Sequence, residues 1–200
     1  MKTSNSIPLA GFGTPTKRGC RKTVLRIAIV VGAIAVSLHF SGIVHAYSVH
    51  GGSMIPALCL GDQFLMERLT FLLRKPERDD IVVLKTDGIA SLPLGGIYIK
   101  RIVGEPGERV YLADGRLYVN GTPMSLRNKA GEIRYLPVGG QRYLISSEDI
   151  VVVPEGHYFV LGDNSVDSAD SRVWGCVPAK NIIGRVAFRY WPISRTGAVR

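Results

Sequence analysis

The sequence predicts a mainly β protein, an antiparallel β-sheet domain that follows one N-terminal transmembrane helix. Three observations support this fold class. One long apolar run lies near the N-terminus, short strand-like runs recur after it, and turn sequences separate those runs. The 200 residues are enough for a membrane segment and one domain with a well-buried core.

The apolar run at residues 27–47 is about as long as a helix that crosses a bilayer. The cations before it are expected to stay in the cytoplasm. The sequence therefore predicts a cytoplasmic basic tail at 1–26, a transmembrane anchor at 27–47 and an extracytoplasmic domain at 48–200. A cleavable export signal that ends in the small-x-small sequence Val44-His45-Ala46 is the alternative interpretation, and it exports the same domain.

The net charge of +9 does not indicate nucleic-acid binding, because the excess lies at the N-terminus. Residues 1–49 hold six cations and no acid, whereas the rest of the chain holds 19 cations and 16 acids. A nucleic-acid-binding domain is expected to carry a strong basic patch of its own. We therefore expect no nucleic-acid partner.

After the anchor, six runs have the composition and alternation of β-strands. Ala113-Asp114-Gly115 predicts a hairpin connection between the third and the fourth. Helical periodicity after the anchor is confined at best to Phe64–Leu73. The predicted strands are residues 81–84, 97–103, 109–112, 116–119, 158–161 and 182–191.

Ser53 is the first candidate for chemistry, because Gly51 and Gly52 precede it. Glycines before a serine let a substrate approach the backbone closely and leave N–H groups free to stabilise an oxyanion. On its own, such a sequence is more typical of an ordinary loop.

Lys100 is the second candidate, since strand alternation places it between Tyr98 and Ile102 on one face of its strand. Burial among apolar side chains lowers a lysine pKa, and a neutral amine can take the proton of a serine hydroxyl. Arg101 faces the other way and stays charged, so it cannot act as the base. The alternative is a lysine at a strand edge with its amine in solvent.

The third feature is the polar stretch at residues 162–172, directly after the predicted strand 158–161. It reads Gly-Asp-Asn-Ser-Val-Asp-Ser-Ala-Asp-Ser-Arg. A solvated loop is the ordinary interpretation. A Ca²⁺ site is disfavoured, because the stretch lacks the spacing and the bidentate Glu of an EF-hand loop.

Together the three motifs, in this order behind an apolar segment, resemble the type I signal peptidases over most of residues 45–192. The resemblance implies that Ser53 is the nucleophile and Lys100 the general base. It also implies that Ser168 orients the Lys100 amine, and that Asp170 and Arg172 form a pair that braces the polar loop.

The resemblance further implies that Met54, Tyr98 and Ile99 line shallow pockets for small side chains. The Ser53 N–H would form the oxyanion hole. Gly51 stands where some members carry an additional hydroxyl, so this chain must use its backbone or water. The family fold has two antiparallel sheets and a small β insertion, expected here within about residues 112–154.

The implied activity is that of a membrane-bound serine endopeptidase that removes N-terminal signal peptides from exported pre-proteins after small-x-small sites. It needs no cofactor and no metal, and its partners are signal peptides and the lipid bilayer. The implied location is the bacterial cytoplasmic membrane, with a single pass, a cytoplasmic N-terminus and the catalytic domain on the outer face.

Other hypotheses stay open at this point. One is a dedicated peptidase that matures a single pilin or conjugation protein, and another is a non-enzymatic tethered β-domain. A Ser-His-Asp triad with His157 and Asp163 is a further alternative, as is self-cleavage at Val44-His45-Ala46.

Four more residues have roles that the sequence predicts only in outline. Cys59 and Cys176 form either a disulfide or two small buried thiols. Tyr190 and Trp191 lie either in the headgroup region of a membrane or in the core.

Asp163 and Asn164 are expected to hold the polar loop through local bonds from their side chains to the backbone.

Overall fold

The structure, a computed structural model, describes residues 17–128 and 131–199. The predicted basic tail falls largely on residues 1–16, which lie outside the described residues. The chain divides into two compact units, of which the first ends at Gly42 and the second begins at Ile43.

In its described part, the N-terminal unit contains one helix, α1, at Lys17–Phe40. It takes in the basic cluster and most of the predicted apolar run. Within the part of the chain that the structure describes, no helix combines the length and the apolar character needed to cross a membrane.

The predicted end of the apolar helix, at residue 47, is wrong. The helix ends at Phe40, and Gly42 follows with a φ of 69°. Glycine adopts this left-handed conformation without strain, and it commonly terminates a helix. Val44–Ser48 then forms a strand, so the small-x-small sequence Val44-His45-Ala46 lies in a hydrogen-bonded sheet.

The strands and helices are numbered in chain order. The strands are β1 Val44–Ser48, β2 Gln63–Glu67, β3 Ile81–Lys85, β4 Ile97–Gly104, β5 Arg109–Ala113, β6 Arg116–Val119, β7 Thr122–Pro123, β8 Arg127–Asn128, β9 Gly131–Glu132, β10 Val151–Val152, β11 His157–Leu161, β12 Val177–Pro178, β13 Ile182–Trp191 and β14 Gly197–Ala198. The described part of the second unit also contains two short α-helices, α2 Leu69–Leu73 and α3 Ser171–Trp174.

The second unit is built on a large antiparallel sheet with the strand order β1-β2-β13-β3-β4-β11-β12, and β14 pairs with β13. A smaller antiparallel sheet has the order β10-β5-β6-β7, and β8 pairs with β9. The smaller sheet begins at Arg109 and ends at Val152, close to the insertion expected within residues 112–154. The mainly antiparallel β architecture is therefore confirmed.

The six predicted strands are present as β3, β4, β5, β6, β11 and β13, each with ends within one residue of the prediction. The predicted hairpin joins β5 to β6 through Asp114 and Gly115, whose φ angles are 50° and 72°. Positive φ at both central residues is the geometry that two-residue hairpin turns favour.

The predicted helix at Phe64–Leu73 is wrong in its first half. Residues Gln63–Glu67 form β2, and only Leu69–Leu73 is helical. Phe64 and Met66 are buried while their neighbours are half-buried, which is the period of two that a strand requires. Three consecutive apolar residues concealed this alternation in the sequence.

Alternation along β4 is as predicted. Tyr98 and Ile102 pack in one apolar cluster with Trp174, whereas Ile99 packs in another with Met54. The two faces of β4 therefore carry side chains into different parts of the core. This arrangement positions Lys100 and Arg101 on opposite sides of the sheet.

At the surface, Tyr190 and Trp191 are 36% and 49% exposed, so the core-packing alternative for them is wrong. They are the last two residues of β13. Cys59 and Cys176 are free thiols and half-buried, so no bridge joins them.

Candidate active site

Ser53 and Lys100 lie side by side, with 2.8 Å between Ser53 Oγ and Lys100 Nζ. Ser53 sits in the turn that connects β1 to β2, and Lys100 projects from the middle of β4. The distance is that of a hydrogen bond, and it is short enough for direct proton transfer.

Lys100 is buried, with only 2% of its surface exposed. Its Nζ lies 5.6 Å from the centre of the Tyr98 ring. Burial lowers the pKa of Lys100 from 10.5 to about 8, and the carboxylate of Asp170 opposes this effect while Arg172 adds to it. A substantial fraction of the amine is therefore neutral just above neutral pH.

Asp163 and Asn164 hold the polar loop to other segments of the domain. Both carboxylate oxygens of Asp163 accept hydrogen bonds from Arg101, at 2.8 and 2.7 Å. Asn164 donates from its backbone N–H to the carbonyl of Ser53 and from its side chain to the carbonyl of Gly52. The prediction of local bonds is therefore wrong, because the loop folds back against β4 and the turn that carries Ser53.

Asp170 and Arg172 form a pair whose side chains have no exposed surface. Arg172 Nη2 and Nε donate to the Asp170 carboxylate at 2.8 and 2.9 Å. Asp170 also accepts the Gly162 N–H at 3.0 Å, and Arg172 donates to the Leu136 carbonyl at 2.8 Å. The pair therefore ties both ends of the polar loop to each other and to the 131–145 segment.

Ser168 does not make the hydrogen bond to Lys100 that the resemblance implies. Its hydroxyl is buried and has no hydrogen-bond partner among the residues that the structure describes. The hydroxyl lies beside Gly162, in the space that a Cβ at that position would need. A buried hydroxyl without a partner is costly, so Ser168 retains an unused donor beside the dyad.

Gly162 is a position where a side chain does not fit. A Cβ there would contact Ser168 Oγ and would lie 2.6 Å from the carbonyl oxygen of Ser53. Gly162→Ala is therefore expected to displace the turn that carries Ser53. This would cost about 1–3 kcal/mol of stability, and any peptide cleavage that depends on Ser53 is expected to fall at least tenfold. Urea denaturation and initial rates measure the two effects.

Gly139→Ala is the matched control for Gly162, since a Cβ at Gly139 meets nothing within 4 Å. It is expected to leave the rate and the stability close to the wild-type values. Equal effects of the two substitutions would contradict the role given to the close packing at Gly162.

The dyad opens into a cavity of about 660 Å³. Met54, Tyr98 and Ile99, the three predicted pocket residues, all line it together with Ser53 and Lys100. Its walls come mainly from the 46–54 segment and from the first half of β4. The structure thus brings the predicted pocket residues and the dyad to one place.

The alternative triad is wrong. The Asp163 carboxylate is held by Arg101 through both oxygens. The Nδ1 atom of His157 lies 3.0 Å from the Glu155 carbonyl.

No group of three or more His, Cys, Asp or Glu side chains is placed to hold a metal ion in residues 17–128 and 131–199.

The family model described as signal peptidase, peptidase S26, matches residues 20–191. The chain belongs to this family. Among curated relatives, a probable thylakoidal processing peptidase 2 of Arabidopsis thaliana is 39% identical over 171 residues, which cover 84% of this chain and 44% of the relative.

Two bacterial relatives carry the name signal peptidase I. A probable signal peptidase I-2 of Synechocystis is 35% identical, over 78% of this chain and 66% of the relative. A signal peptidase I of Bacillus caldolyticus is 34% identical, over 90% of this chain and 94% of the relative. The chain thus spans less than two thirds of the Arabidopsis and Synechocystis relatives.

The signal peptidase motifs did not reveal the contact between Arg101 and Asp163, or that between Asn164 and Gly52. One signal was available for the first. An arginine in the middle of an apolar strand is buried only when an acid neutralises it, and Asp163 lies two residues after the predicted core strand 158–161. The contact between Asn164 and Gly52 had no such signal in the sequence, because it depends on the fold alone.

Proposed function

We propose that the protein is a membrane-bound serine endopeptidase that removes N-terminal signal peptides from exported pre-proteins. The observation that carries the proposal is the 2.8 Å contact between Ser53 Oγ and a buried Lys100 amine, inside an open cavity. A buried amine that is partly neutral beside a serine hydroxyl is the arrangement that general-base activation needs.

In the first half of the reaction, Ser53 Oγ attacks the carbonyl carbon of the scissile bond and its proton passes to Lys100 Nζ. The carbonyl oxygen becomes an oxyanion, which the Ser53 N–H stabilises. The C–N bond then breaks, and the Lys100 ammonium gives its proton to the leaving amine. The products are a free new N-terminus and an ester on Ser53.

In the second half, a water molecule attacks the ester while Lys100 Nζ takes one of its protons. The tetrahedral intermediate collapses, the bond to Ser53 Oγ breaks, and the proton returns from Lys100 to Oγ. Ser168 is retained as a supporting residue in the proposal, because its buried hydroxyl has no other partner among the described residues.

Two strand edges at the cavity support an extended substrate, one at residues 46–48 of β1 and one at residues 97–100 of β4. β1 pairs with β2 alone in the described part of the sheet, and β11 pairs with β4 only from Arg101 onward. Residues 46–48 of β1 and residues 97–100 of β4 line the cavity. An extended peptide can add to such edges by main-chain hydrogen bonds, while Met54, Tyr98 and Ile99 admit small side chains after which the bond is cut.

The proposal includes attachment of the chain to the bacterial cytoplasmic membrane through α1, with a single pass, a cytoplasmic N-terminus and the peptidase unit on the outer face. Exposed apolar side chains on α1, such as Val24, Ile27 and Ile34, and the cations near its start support it. Full-length protein is expected to stay with membranes after alkaline carbonate extraction. Release into the supernatant would contradict this part of the proposal.

Cleavage is expected to fall as the pH is lowered through about 8, the pKa that burial gives Lys100. The neutral amine is the active form, so kcat/KM is expected to drop about tenfold for each pH unit below that pKa. Initial rates between pH 5.5 and 10 measure the profile, with circular dichroism as the check that the fold persists. A rate maximum at acidic pH would contradict a neutral lysine base.

The test of the function is cleavage of a purified pre-protein by the full-length, detergent-solubilised chain. The wild type is expected to cut after a small-x-small sequence, and Ser53→Ala is expected to be inactive. Ser147→Ala, which removes an exposed hydroxyl elsewhere, is the matched control and is expected to be fully active.

A wild type that cuts none of several pre-proteins would overturn the proposal. Activity confined to one pilin or conjugation protein in such a panel would favour a dedicated peptidase. Binding without cleavage would favour a tethered β-domain.

A further inference from the structure

The carbonyl of Gly52, the residue before the nucleophile, is held by two donors. The Asn164 side-chain amide and the Ile55 N–H each donate to it at 3.1 Å. The Asn164 N–H also donates to the Ser53 carbonyl at 2.9 Å. One residue of the polar loop therefore fixes the carbonyls of two successive residues in the nucleophile turn.

The Gly52 carbonyl and the Ser53 N–H belong to the same peptide group. The described cis peptide bonds are Ile55–Pro56 and Trp191–Pro192, so this peptide is trans. In a planar trans peptide, the C=O and N–H bonds point in opposite directions. A donor that fixes the direction of the Gly52 carbonyl therefore also fixes the direction of the Ser53 N–H.

The Ser53 N–H has no hydrogen-bond partner among the described residues. Ser53 is half-buried and lines the cavity, so its N–H can donate to a bound substrate. Because Gly51 provides no hydroxyl, stabilisation of the oxyanion depends more strongly on the direction of the Ser53 N–H than in family members that carry a hydroxyl at this position.

Asn164 itself is firmly placed. The preceding residue, Asp163, is bound to the buried Arg101 through both carboxylate oxygens. The following turn is closed by a 3.2 Å hydrogen bond from the Asp167 N–H to the Asn164 carbonyl. The side-chain amide is thus held on a braced segment, which allows it to keep the Gly52 peptide in one orientation.

We propose that Asn164 is a positioning residue that aims the Ser53 N–H at the oxyanion of the reaction. It acts through the Gly52 peptide and touches neither the substrate nor the Lys100 amine. The inference rests on the proposed function, since it assigns the oxyanion donor of that reaction.

Asn164→Ala tests the inference, because a residue that aims the oxyanion donor is expected to affect binding of the transition state and not binding of the substrate. A lost oxyanion donor typically costs 10²–10³ in kcat, so a misaligned one is expected to cost about 10–100-fold. KM is expected to change less than threefold. The affinity for a peptide aldehyde, which forms a tetrahedral adduct on Ser53, is expected to fall by the same factor as kcat, while that for the corresponding unreactive peptide stays constant.

Asn164→Asp is the second variant, because a carboxylate cannot donate to the Gly52 carbonyl. It is expected to be at least as impaired as Asn164→Ala. Asn181→Ala is the matched control, since the Asn181 side-chain amide also donates to two backbone carbonyls, at 2.8 Å each. It is expected to lower thermal stability without a selective loss of aldehyde affinity.

An unchanged kcat in Asn164→Ala, or an equal loss of affinity for the aldehyde and the unreactive peptide, would overturn the inference and leave the proposed function intact. If the wild type cuts no pre-protein yet binds the aldehyde, the proposed function fails and aldehyde affinity alone decides the role of Asn164. If it neither cleaves nor binds, both proposals fail.

Discussion

Lys100→Met is expected to abolish cleavage while leaving the protein at least as stable as the wild type. Without a base for Ser53, the loss in kcat is expected to be about 10⁴-fold or more. The stability is expected to hold because the folded state no longer has to bury a charge. The fall of the Lys100 pKa from 10.5 to about 8 corresponds to about 3 kcal/mol at neutral pH.

The sign of this effect depends on pH. Below pH 8 the amine is protonated in both the folded and the unfolded chain, so the folded state carries the whole desolvation cost. Between pH 8 and 10.5 only the unfolded chain still holds the proton, and the cost declines. The stability advantage of Lys100→Met is therefore expected at pH 7 and is expected to shrink towards pH 10.

Calorimetry at pH 7 and pH 10, together with initial rates, measures both effects. Lys85→Met is the matched control, because Lys85 ends the neighbouring strand β3 with its side chain exposed. It is expected to keep its activity. A melting temperature of Lys100→Met several degrees below that of the wild type would show that the buried amine stabilises the fold.

Asp170→Ala is expected to destabilise the peptidase unit by about 3–5 kcal/mol, because it leaves the Arg172 guanidinium buried without its carboxylate. Neither side chain has exposed surface in the intact pair, so solvent cannot replace the lost partner. The Gly162 N–H loses its acceptor as well. Urea denaturation of the full chain measures the change, and cleavage is expected to fall with it.

Glu132→Ala is the matched control for that experiment. Glu132 lies 3.7 and 3.8 Å from two partly exposed arginines, Arg116 and Arg134. Such pairs contribute about 0–1 kcal/mol. If Asp170→Ala lowered the free energy of unfolding no more than Glu132→Ala does, the buried pair would not be what holds the polar loop in place.

Local sequence patterns were sufficient for the central strands, whereas Ser53 and Lys100 were paired only through the resemblance to the type I signal peptidases. β4 alternates clearly, so the sequence indicated both its boundaries and the opposite directions of Lys100 and Arg101. The wrong predictions, the end of the anchor helix and the helix at residues 64–67, concern segments whose apolar residues follow neither a helical nor a strand period. Val44–Ser48 is similar in composition to the polar second half of the predicted anchor, and pairing with β2 selects the extended conformation.

The contacts that complete the site were out of reach for a different reason. Asn164 and Gly52 are 112 residues apart, and Arg101 and Asp163 are 62 apart. No short motif relates such partners, because their approach depends on the order of strands in the sheet. The candidate reacting groups could therefore be found in the sequence, whereas the contacts that hold them in place became visible only in the structure.

The position of Lys100 and Arg101 as neighbours on β4 has a consequence for folding. A slip of one residue in the pairing of β3 with β4 would turn every side chain of β4 to the opposite face. A guanidinium, which cannot release its proton, would then compete for the place of the amine, and Asp163 would lose its partner. The proposed cleavage activity would therefore report directly on correct strand register, since a misaligned molecule would be inactive even if it remained compact and soluble.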